Sequence, residues 1–250
     1  MSLSNSAPFL RHGLIDMAPS EAFVLTVVVP ALNEEASLRQ VLPRLRETFQ
    51  RLSVRGEILV VDGRSKDATV AVAEAGGARV FTQRGRGLGG ALREGLLAAA
   101  APWIAIVDAD GSHPPEVLAD MWSRRNEADL IIASRYVPGG SAVMGLARQV
   151  LSRSLNLVSC YVLDLPARDS SGGFRLYRAA LARAACADSA ANDFTVQQEL
   201  LVAVLSRGGR VLEVPFRYES RIDGASKASA VRLAPAYIRM LLKLRARRHA

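Results

Sequence analysis

Several residue types and motifs are scarce or absent in this chain of 250 residues. The two cysteines, Cys160 and Cys186, show neither zinc-site spacing nor the density of a disulfide-stabilised domain, so we expect reduced thiols. No apolar run reaches the roughly 18 residues of a membrane-spanning helix, and the first residues lack the pattern of a signal peptide. The nucleophile-elbow and P-loop motifs are also absent, which argues against an α/β-hydrolase and a P-loop nucleotidase.

Arginine carries nearly all of the positive charge. The formal net charge is +8, and the three lysines are Lys66, Lys227 and Lys243. Arginine binds phosphate through a planar fork of N–H groups, so this composition suits a phosphate-bearing partner. Nucleic acid, an anionic membrane and a phosphorylated substrate all remain open on charge alone.

Short apolar runs alternate with helical patterns along most of the chain. Strands are predicted at residues 24–30, 57–62, 78–82, 103–107, 130–134 and 210–215. This alternation predicts an α/β fold with a mainly parallel sheet. Asn33 is a candidate cap of the first helix, and another helix is predicted over 114–127. We expect a flexible tail over 1–22, one domain over 23–227 and a carboxyl-terminal helix over 228–250.

Two carboxylates follow the run Trp103–Val107, which is predicted to be a buried central strand. Asp108 and Asp110 would lie past the carboxyl end of that strand, where α/β sheets bind ligands. Residues i and i+2 of an extended segment point to the same side, so both carboxylates can face one cation. Mg²⁺ and Mn²⁺ prefer such oxygen ligands and share them with substrate phosphates. A solvated pair of aspartates in a turn is the structural alternative.

A glycine-rich segment, Gly85-x-Gly87-x-x-Gly90, matches the dinucleotide-binding fingerprint. A predicted strand precedes it and a helix follows, which keeps a nicotinamide-dependent oxidoreductase open. The motif follows the third strand rather than the first, and few lysines and histidines are present for hydride transfer. Glycines that merely permit a tight turn are the structural alternative.

An ordered series of short motifs resembles a known family. The first motifs are Pro30-x-x-Asn33-Glu34, Val61-Asp62-x-x-Ser65-x-Asp67-x-Thr69, Gly87-Leu88-Gly89-x-Ala91 and Asp108-Ala109-Asp110-x-Ser112-His113-x-Pro115. The later ones are Ser134-Arg135-Tyr136, Asp169-x-Ser171-x-Gly173-Phe174-Arg175, Gln197-x-Glu199, Glu213-Val214-Pro215 and Arg221-x-x-Gly224-x-Ser226-Lys227. From about Val24 to Lys227 the chain resembles the family-2 glycosyltransferases, within them the dolichol-phosphate (polyprenyl-phosphate) mannosyltransferases.

The resemblance implies a GT-A fold and inverting transfer of a hexose from GDP-mannose or UDP-glucose to a polyprenyl or dolichyl phosphate. It implies a divalent ion, Mg²⁺ or Mn²⁺, held by Asp108, Asp110 and, at a third position, Ser112. The implied substrate-binding residues are Pro30, Asn33, Glu34, Asp62, Gly87, Gly89, Ser152, Gln197, Glu199 and Lys227. The implied catalytic residues are Asp108, Asp110, Arg135, Arg148 and Arg221. For Gln197 and Glu199 a capping or solvent-facing role is the alternative, and for the arginines a surface ion pair.

The sequence departs from the family pattern at two places. Relatives usually carry a second acid and then a glycine after the residue that matches Asp62, whereas this chain has Gly63 and Arg64. One nucleotide contact is therefore in doubt. Ser112 stands where a third metal ligand, often glutamine, is frequent, and its shorter hydroxyl leaves room for a water ligand.

No histidine or glutamate stands out as a general base. A lipid phosphate explains this, because its second pKa is about 6 and it is largely dianionic near neutral pH. The protein then has to neutralise the leaving diphosphate and position the attacking phosphate. A transferase for a soluble hydroxyl acceptor is an alternative that would need a catalytic carboxylate near the sugar. A basic nucleic-acid-binding module is another, and it leaves the strands that end in aspartate unexplained.

The carboxyl-terminal segment alternates apolar and basic side chains at helical spacing. The apolar residues are Val231, Leu233, Tyr237, Ile238, Leu241, Leu242 and Leu244. The pattern predicts a basic amphipathic helix that lies on an anionic membrane, packs on the domain, or does both. We expect a cytoplasmic protein, peripheral at the inner face of the membrane, that takes its acceptor from the bilayer.

Overall fold

One seven-stranded sheet forms the centre of the protein, with the strand order β3-β2-β1-β4-β7-β5-β8. The computed structural model describes residues 22–219, 222, 237, 240–246 and 248, and only the backbone of Arg148. The strands of the sheet are β1 (Leu25–Ala31), β2 (Gly56–Asp62), β3 (Arg79–Thr82), β4 (Trp103–Ile106), β5 (Leu130–Ser134), β7 (Arg175–Arg178) and β8 (Val211–Pro215). Two short strands, β6 (Ser141–Ala142) and β9 (Arg217–Tyr218), pair separately.

Helices cover both faces of the sheet. They are α1 (Glu35–Arg51), α2 (Thr69–Ala75), α3 (Gly87–Ala98), α4 (Val117–Ser123), α5 (Leu146–Val162), α6 (Ala179–Cys186) and α7 (Val196–Leu205). The buried side chains of α1, α2 and α4 belong to one apolar cluster, and those of α3, α6 and α7 belong to a second. The sheet therefore lies between two cores, as its nearly continuous apolar strands require.

The direction of β7 decides what lies beside the central strand. The pairs β1–β2, β1–β4, β2–β3 and β5–β8 are parallel, whereas β7 runs antiparallel to both β4 and β5. Arg175, the first residue of β7, is opposite Ile106 and Ile132. The loop before β7 therefore emerges at the same edge of the sheet as the residues that follow β4. This mainly parallel arrangement confirms the predicted fold class.

The helix after β4 is shorter than predicted. It covers Val117–Ser123 rather than 114–127. The N–H groups of Val117 and Leu118 donate to the carbonyls of Pro114 and Pro115, three residues back, so a tight turn precedes the helix.

The carboxyl-terminal segment is described at 240–246, where it is helical. Leu241 and Leu244 are buried with Leu163 and Val202. Their packing on the domain is one of the two arrangements expected for this segment, and it removes these side chains from the predicted membrane face. The tail predicted over 1–22 lies outside the described residues except for Ala22.

Candidate active site

The residues after β4 form a turn that holds two carboxylates differently. The Asp110 side chain is buried, and its Oδ1 accepts hydrogen bonds from the Ser112 N–H (3.0 Å) and the Ser112 hydroxyl (2.6 Å). The Asp108 side chain is 32% exposed. Asp110 is therefore fixed by its own turn, while Asp108 presents its carboxylate to solvent.

The His113 side chain supports this turn through its contacts with Asp108. Its Nδ1 accepts a hydrogen bond from the Asp108 N–H at 3.1 Å, and its Nε2 lies 3.6 Å from Asp108 Oδ2. The imidazole is buried and stacks on Phe174 with a ring separation of 5.2 Å, while Phe216 and Tyr218 meet it edge-on. Because both nitrogens face Asp108, His113 positions that residue.

The same turn is joined to the segment that follows β9. The Glu219 N–H donates to the Ser112 carbonyl at 3.1 Å, and the Ile222 N–H donates to the Asp110 carbonyl at 3.0 Å. Gly111 has a φ of 78°, and a Cβ there would lie 2.3 Å from the Ile222 side chain. Glycine is needed for both the backbone conformation and this close approach.

A buried ion pair lies at the end of β5. The Nε and Nη2 of Arg135 each donate to the Asp169 carboxylate at 2.8 Å, and Nη2 also donates to Ser171 Oγ at 2.9 Å. The Asp169 side chain is fully buried and that of Arg135 is 11% exposed. The guanidinium also packs over the rings of Tyr136 and Tyr218. Two of its nitrogens, Nε and Nη2, are thus engaged with other described residues.

The pair changes the protonation equilibria of both partners. Burial alone would raise the pKa of Asp169, but the adjacent charge and hydrogen bonds of Arg135 lower it below its ordinary value. Burial alone would likewise lower the pKa of Arg135. The charge and hydrogen bonds of Asp169 together have the larger effect, so the pKa of Arg135 is raised. Both groups are charged at neutral pH.

A second buried arginine shapes the loop before β7. Arg175 is fully buried and donates from Nε to the Gly172 carbonyl and from Nη2 to the Ser170 carbonyl. Its Nη1 donates to the Gln197 carbonyl at 2.7 Å and to the Tyr177 hydroxyl at 3.3 Å. This arginine therefore fixes the loop against the first turn of α7.

That loop brings Gly173 to the side of Asp108. A Cβ at Gly173 would lie 3.4 Å from His113 Cε1, 3.5 Å from Gln197 Nε2 and 3.7 Å from Asp108 Oδ1. Glycine keeps the space beside the Asp108 carboxylate free of a side chain. The site thus combines residues that are far apart in sequence, from the turn after β4, the loop before β7 and α7.

Gln197 and Glu199 lie on the same helix and serve different purposes. Gln197 is 3% exposed, and its Oε1 has no hydrogen-bond partner among the described residues. Buried polar atoms nearly always have one, so this oxygen is suited to accept from a bound molecule. Glu199 Oε2 instead accepts from the Ser189 hydroxyl and the N–H groups of Ala190 and Ala191. The geometry favours a structural role for Glu199 over the predicted substrate contact.

The glycines at the start of α3 have a structural explanation. Gly87 has a φ of 64°, and a Cβ there would lie 2.1 Å from the Asn192 carbonyl oxygen. A Cβ at Gly89 would lie 1.9 Å from the Ala191 carbonyl oxygen. Both glycines allow α3 to approach the loop that Glu199 supports. Their predicted contact with a substrate stays a prediction.

The turns after β1 and β2 are joined to each other. The Asn33 N–H donates to Ser65 Oγ at 2.9 Å, and Asn33 Oδ1 accepts from the Lys66 N–H at 2.8 Å. The Glu34 N–H donates to Thr69 Oγ1 at 2.8 Å. Asn33 has a φ of 55° and is not the predicted helix cap, because its side chain is used between the two turns.

Asp62 organises the second of these turns. Its carboxylate is buried and accepts from the N–H groups of Arg64 (3.0 Å) and Ser65 (3.1 Å). Pro30 lies in β1 opposite Val61, and the next residue of β1, Ala31, is opposite Asp62. The structure thus brings Pro30, Asn33, Glu34 and Asp62 to one edge of the sheet.

The residues predicted to handle the acceptor phosphate lie towards α5. The Ser152 hydroxyl is 2.9 Å from the Tyr136 hydroxyl, next to Arg135. Arg148 belongs to α5, but its side chain is not described. Arg221 and Lys227 lie outside the described residues. The contacts of these last three residues stay predictions.

A family model described as glycosyl transferase family 2 matches residues 26–184, more than half of the chain. The chain belongs to glycosyl transferase family 2. It is therefore a glycosyltransferase, and the oxidoreductase alternative is wrong. Within that alternative's fingerprint, Gly87 approaches the Asn192 carbonyl, and Gly85 and Gly90 lie against each other.

Two curated relatives belong to the predicted branch of the family. The undecaprenyl-phosphate mannosyltransferase of Micrococcus luteus is 34% identical over 217 residues, covering 82% of this chain and 87% of the relative. The polyprenol monophosphomannose synthase of Mycolicibacterium smegmatis is 30% identical over 227 residues, covering 86% and 84%. This glycosyltransferase is thus similar to polyprenyl-phosphate mannosyltransferases, as predicted.

Solved structures of the glucosyl-3-phosphoglycerate synthase of Mycobacterium tuberculosis share the fold. Its complex with Mn²⁺, UDP and glucosyl-3-phosphoglycerate has a TM-score of 0.65 at 21% identity, covering 90% of this chain and 80% of that one. Its complex with Mg²⁺ and UDP has a TM-score of 0.64 at 21% identity, covering 90% and 79%. This likeness confirms the predicted GT-A fold of the family-2 domain.

The oxygen ligands of the family-2 site fit a divalent cation. Asp108 and Asp110 provide two carboxylates, one partly exposed and one fixed by Ser112. No group of three or more His, Cys, Asp or Glu side chains suited to a metal occurs in the described part of the chain. Two carboxylates leave coordination positions for substrate phosphates and water, as Mg²⁺ requires.

The sequence prediction missed His113, Asp169 and Gly173 as site residues of the glycosyltransferase. All three were part of motifs that carried the family resemblance, so a signal was present. Their roles depend on tertiary contacts, and the bond between Arg135 and Asp169, for example, joins residues 34 positions apart. The motifs alone did not specify those contacts.

Proposed function

We propose that this glycosyltransferase is metal-dependent and transfers a hexose, with inversion, from GDP-mannose or UDP-glucose to a polyprenyl phosphate. An oxygen of the acceptor phosphate attacks the anomeric carbon as the bond from that carbon to the diphosphate breaks. The nucleoside diphosphate leaves with the electron pair. The acceptors in the names of the two curated relatives support this assignment.

The side chains beside Asp108 indicate which class of acceptor the site suits. Gly173 beside this carboxylate has no side chain, the Gln197 amide near Gly173 is neutral, and His113 has both nitrogens directed at Asp108. A hydroxyl acceptor needs a base to remove its proton, whereas a phosphate monoester with a second pKa of about 6 arrives ionised. The site therefore suits a phosphate nucleophile better than a neutral alcohol.

Asp108 and Asp110 would hold the cation. When bound, the cation neutralises the developing charge on the leaving diphosphate. The turn fixed by Ser112 and His113 keeps the two carboxylates in place without rearrangement. Ser112 supports Asp110 through its hydroxyl, and its own role as a ligand stays a prediction.

Arg135 has a charged, preorganised guanidinium for the incoming phosphate. Its Nε and Nη2 bonds to Asp169 and Ser171 fix the orientation of the group, and Nη1 is outside these bonds. Ser152 and Tyr136 bring hydroxyl donors beside it. We propose that these groups, together with Arg148, Arg221 and Lys227, hold the acceptor phosphate close to the donor diphosphate despite the repulsion between the two anions. The unpartnered Gln197 oxygen is proposed to accept from a hydroxyl of the donor sugar.

Acceptor choice provides the test of the function. We expect Mn²⁺-dependent transfer to a phosphorylated polyprenol and no transfer to the matching unphosphorylated polyprenol, because only the former supplies an ionised nucleophile. Radiolabelled GDP-mannose and UDP-glucose, assayed separately by thin-layer chromatography, report both donor and product.

The pH dependence of the same assay checks the reason. The value of kcat/KM should fall as the pH decreases below about 6, because the acceptor phosphate then takes up its second proton. A flat profile from about pH 5 to 8, or faster transfer to the free alcohol, contradicts a pre-ionised phosphate nucleophile.

An exposed apolar stripe on α5 is suited to a membrane surface. No helix in the described residues is long and apolar enough to cross a bilayer. The stripe comprises Leu146, Val150, Leu157 and Tyr161, which are 80%, 64%, 68% and 85% exposed. Their spacing of four, seven and four residues places them on one side of the helix.

The charge around the stripe indicates the partner. Arg153 is exposed on the same helix, and the carbonyls at and just beyond its end, Val162 and Asp164, accept from Arg245 and Arg248. Apolar side chains flanked by arginine suit the headgroup layer of an anionic membrane. We therefore propose α5 as the membrane-contacting element, at the cytoplasmic face where the prediction placed the protein.

A negative charge introduced into the stripe tests this placement. We expect Leu157→Glu to reduce binding to vesicles of phosphatidylglycerol and phosphatidylcholine about tenfold, because an exposed apolar side chain that would enter the headgroup layer is replaced by a repelled carboxylate. Vesicle co-sedimentation at moderate salt measures the effect. Leu97→Glu is the matched control, since Leu97 is 58% exposed on α3. Equal binding by both variants argues against the α5 surface.

A further inference from the structure

We propose that Arg64 recognises the base of the nucleotide donor and makes this enzyme prefer guanine to uracil. The inference rests on the proposed nucleotide-sugar function and goes beyond it by choosing between the two donor bases. Arg64 is placed by the turn after β2, on the donor side of the sheet. Its backbone, its position and its bonding pattern each contribute to the argument.

The backbone of Arg64 is strained. Its φ is 68°, a region that favours glycine and disfavours other residues. The other non-glycine residues with positive φ in the described part of the chain are Asn33, Ser53 and Asp164, whose side chains are small and polar. Asparagine and aspartate tolerate this region through hydrogen bonds of their own short side chains, whereas the Arg64 side chain bonds Arg84, outside its own turn. A long side chain at this position indicates that the guanidinium itself is used.

The guanidinium extends across the carboxyl edge of the sheet. Arg64 is exposed, and its Nη2 donates to the Arg84 carbonyl at 3.2 Å, in the segment between β3 and α3. Its own N–H is fixed by the Asp62 carboxylate. The side chain thus spans from the β2 turn to the β3 turn, outside the carboxyl ends of neighbouring parallel strands. Ligands of open α/β sheets bind outside the carboxyl ends of the strands.

The side-chain acceptors near this edge are largely used within the protein. Both Asp62 oxygens accept from the N–H groups of their own turn, and Asn33 Oδ1 accepts from the Lys66 N–H. Gly63 adds no side chain, and a Cβ there would lie 3.2 Å from the Ala31 carbonyl oxygen. Arg64 adds a fork of donors to this edge.

Guanine matches a donor fork better than uracil does. Its O6 and N7 are adjacent acceptors that a guanidinium can bind in a bidentate manner. The bond to Arg84 uses one of the five N–H groups of Arg64, so a fork is still available. On the pairing edge of uracil an N–H lies between two carbonyls, so a guanidinium placed there meets a donor.

Nucleotide binding by Arg64→Gly tests the proposal. We expect the Kd for GDP to rise about ten- to a hundredfold, the range for one bidentate base contact, while the Kd for UDP changes little. The melting temperature should not fall, because glycine adopts this φ without strain. Arg64→Lys keeps the charge and loses the fork, so it should also weaken GDP binding. Titration calorimetry in Mn²⁺ measures both nucleotides.

Lys66→Ala is the matched control, because it removes a positive charge from the same turn and should leave the ratio of GDP to UDP affinity unchanged. Equal weakening of GDP and UDP by Arg64→Gly overturns the proposal, since it would show a charge effect on the phosphates. Unchanged GDP binding, or a wild-type protein that prefers UDP, overturns it as well. A wild-type protein that binds neither nucleotide instead contradicts the proposed donor class, and the inference with it.

Discussion

Asp110→Asn is expected to lower kcat for glycosyl transfer about a thousandfold. Removing one of two anionic ligands weakens the cation that stabilises the leaving diphosphate, and about 4 kcal/mol of transition-state stabilisation corresponds to this factor. The fold should be retained, because the asparagine Oδ1 can still accept the two hydrogen bonds from Ser112. Initial rates measured across a Mn²⁺ titration show both the loss and any partial recovery at high metal.

Asp120→Asn is the control for this substitution. Asp120 is exposed on α4, close in sequence to the site but outside it, so its variant should keep full activity. A chelator should abolish wild-type activity, and added Mn²⁺ should restore it. Activity of Asp110→Asn within about tenfold of wild type at equal Mn²⁺ would contradict the assignment of the carboxylate pair.

Asp169→Asn is expected to reduce the free energy of unfolding by about 3–5 kcal/mol, since it leaves the buried Arg135 charge without its counter-ion. Denaturant unfolding followed by circular dichroism measures this loss. Glu127→Gln is the control, because Glu127 forms a similar ion pair with Arg124 at the surface, and such pairs contribute little.

The pH dependence of stability gives a second readout for the same pair. Because the pKa of Asp169 is lowered in the folded protein, the unfolded chain takes up the proton first as the pH falls. The stabilisation that the Asp169–Arg135 pair provides is fully present above the ordinary aspartate pKa of about 4, and it is lost as the pH falls below that value. Asp169→Asn should therefore flatten the acid limb of the stability curve. A change in unfolding free energy equal to that of the control would contradict a structural role for the pair.

The sequence was sufficient for the positions of most strands, and it predicted a carboxylate pair after one of them. Continuous apolar runs such as Trp103–Val107 indicate buried parallel strands, and the aspartates follow directly, so local pattern and position both point to the same edge. The prediction of Asp108 and Asp110 as a pair needed no information from distant parts of the chain.

The contacts that complete the site were less accessible to sequence reasoning. Arg135 was predicted to bind phosphate, but its partner Asp169 is 34 residues away and reaches it because β7 runs antiparallel between β4 and β5. Gly87 and Gly89 were predicted from the family resemblance to contact the substrate, and the structure adds a close approach to the 191–192 backbone. In each case the residue makes a tertiary contact that no local pattern encodes.

The carboxyl-terminal segment illustrates a second limit. Its amphipathic pattern fitted both a membrane surface and packing on the domain, because periodicity reports an apolar face without naming what covers it. Leu241 and Leu244 are buried in the structure, whereas Leu157 and Tyr161 of α5 remain exposed. Solvent exposure in the folded chain shows which apolar side chains are covered, which hydrophobic periodicity cannot, and Leu242 of the same segment is 62% exposed.

The strand order also bears on how such enzymes can be diversified. On the proposed assignment, the half with β1, β2, β3 and β4 holds the donor, and the half with β5, β7, β8 and α5 receives the acceptor. The chain passes from one half to the other between α4 and β5, at residues 124–129. A recombination point in this connection would exchange acceptor preference between homologues, together with α7 and its Gln197, while leaving strands β1 to β4 intact.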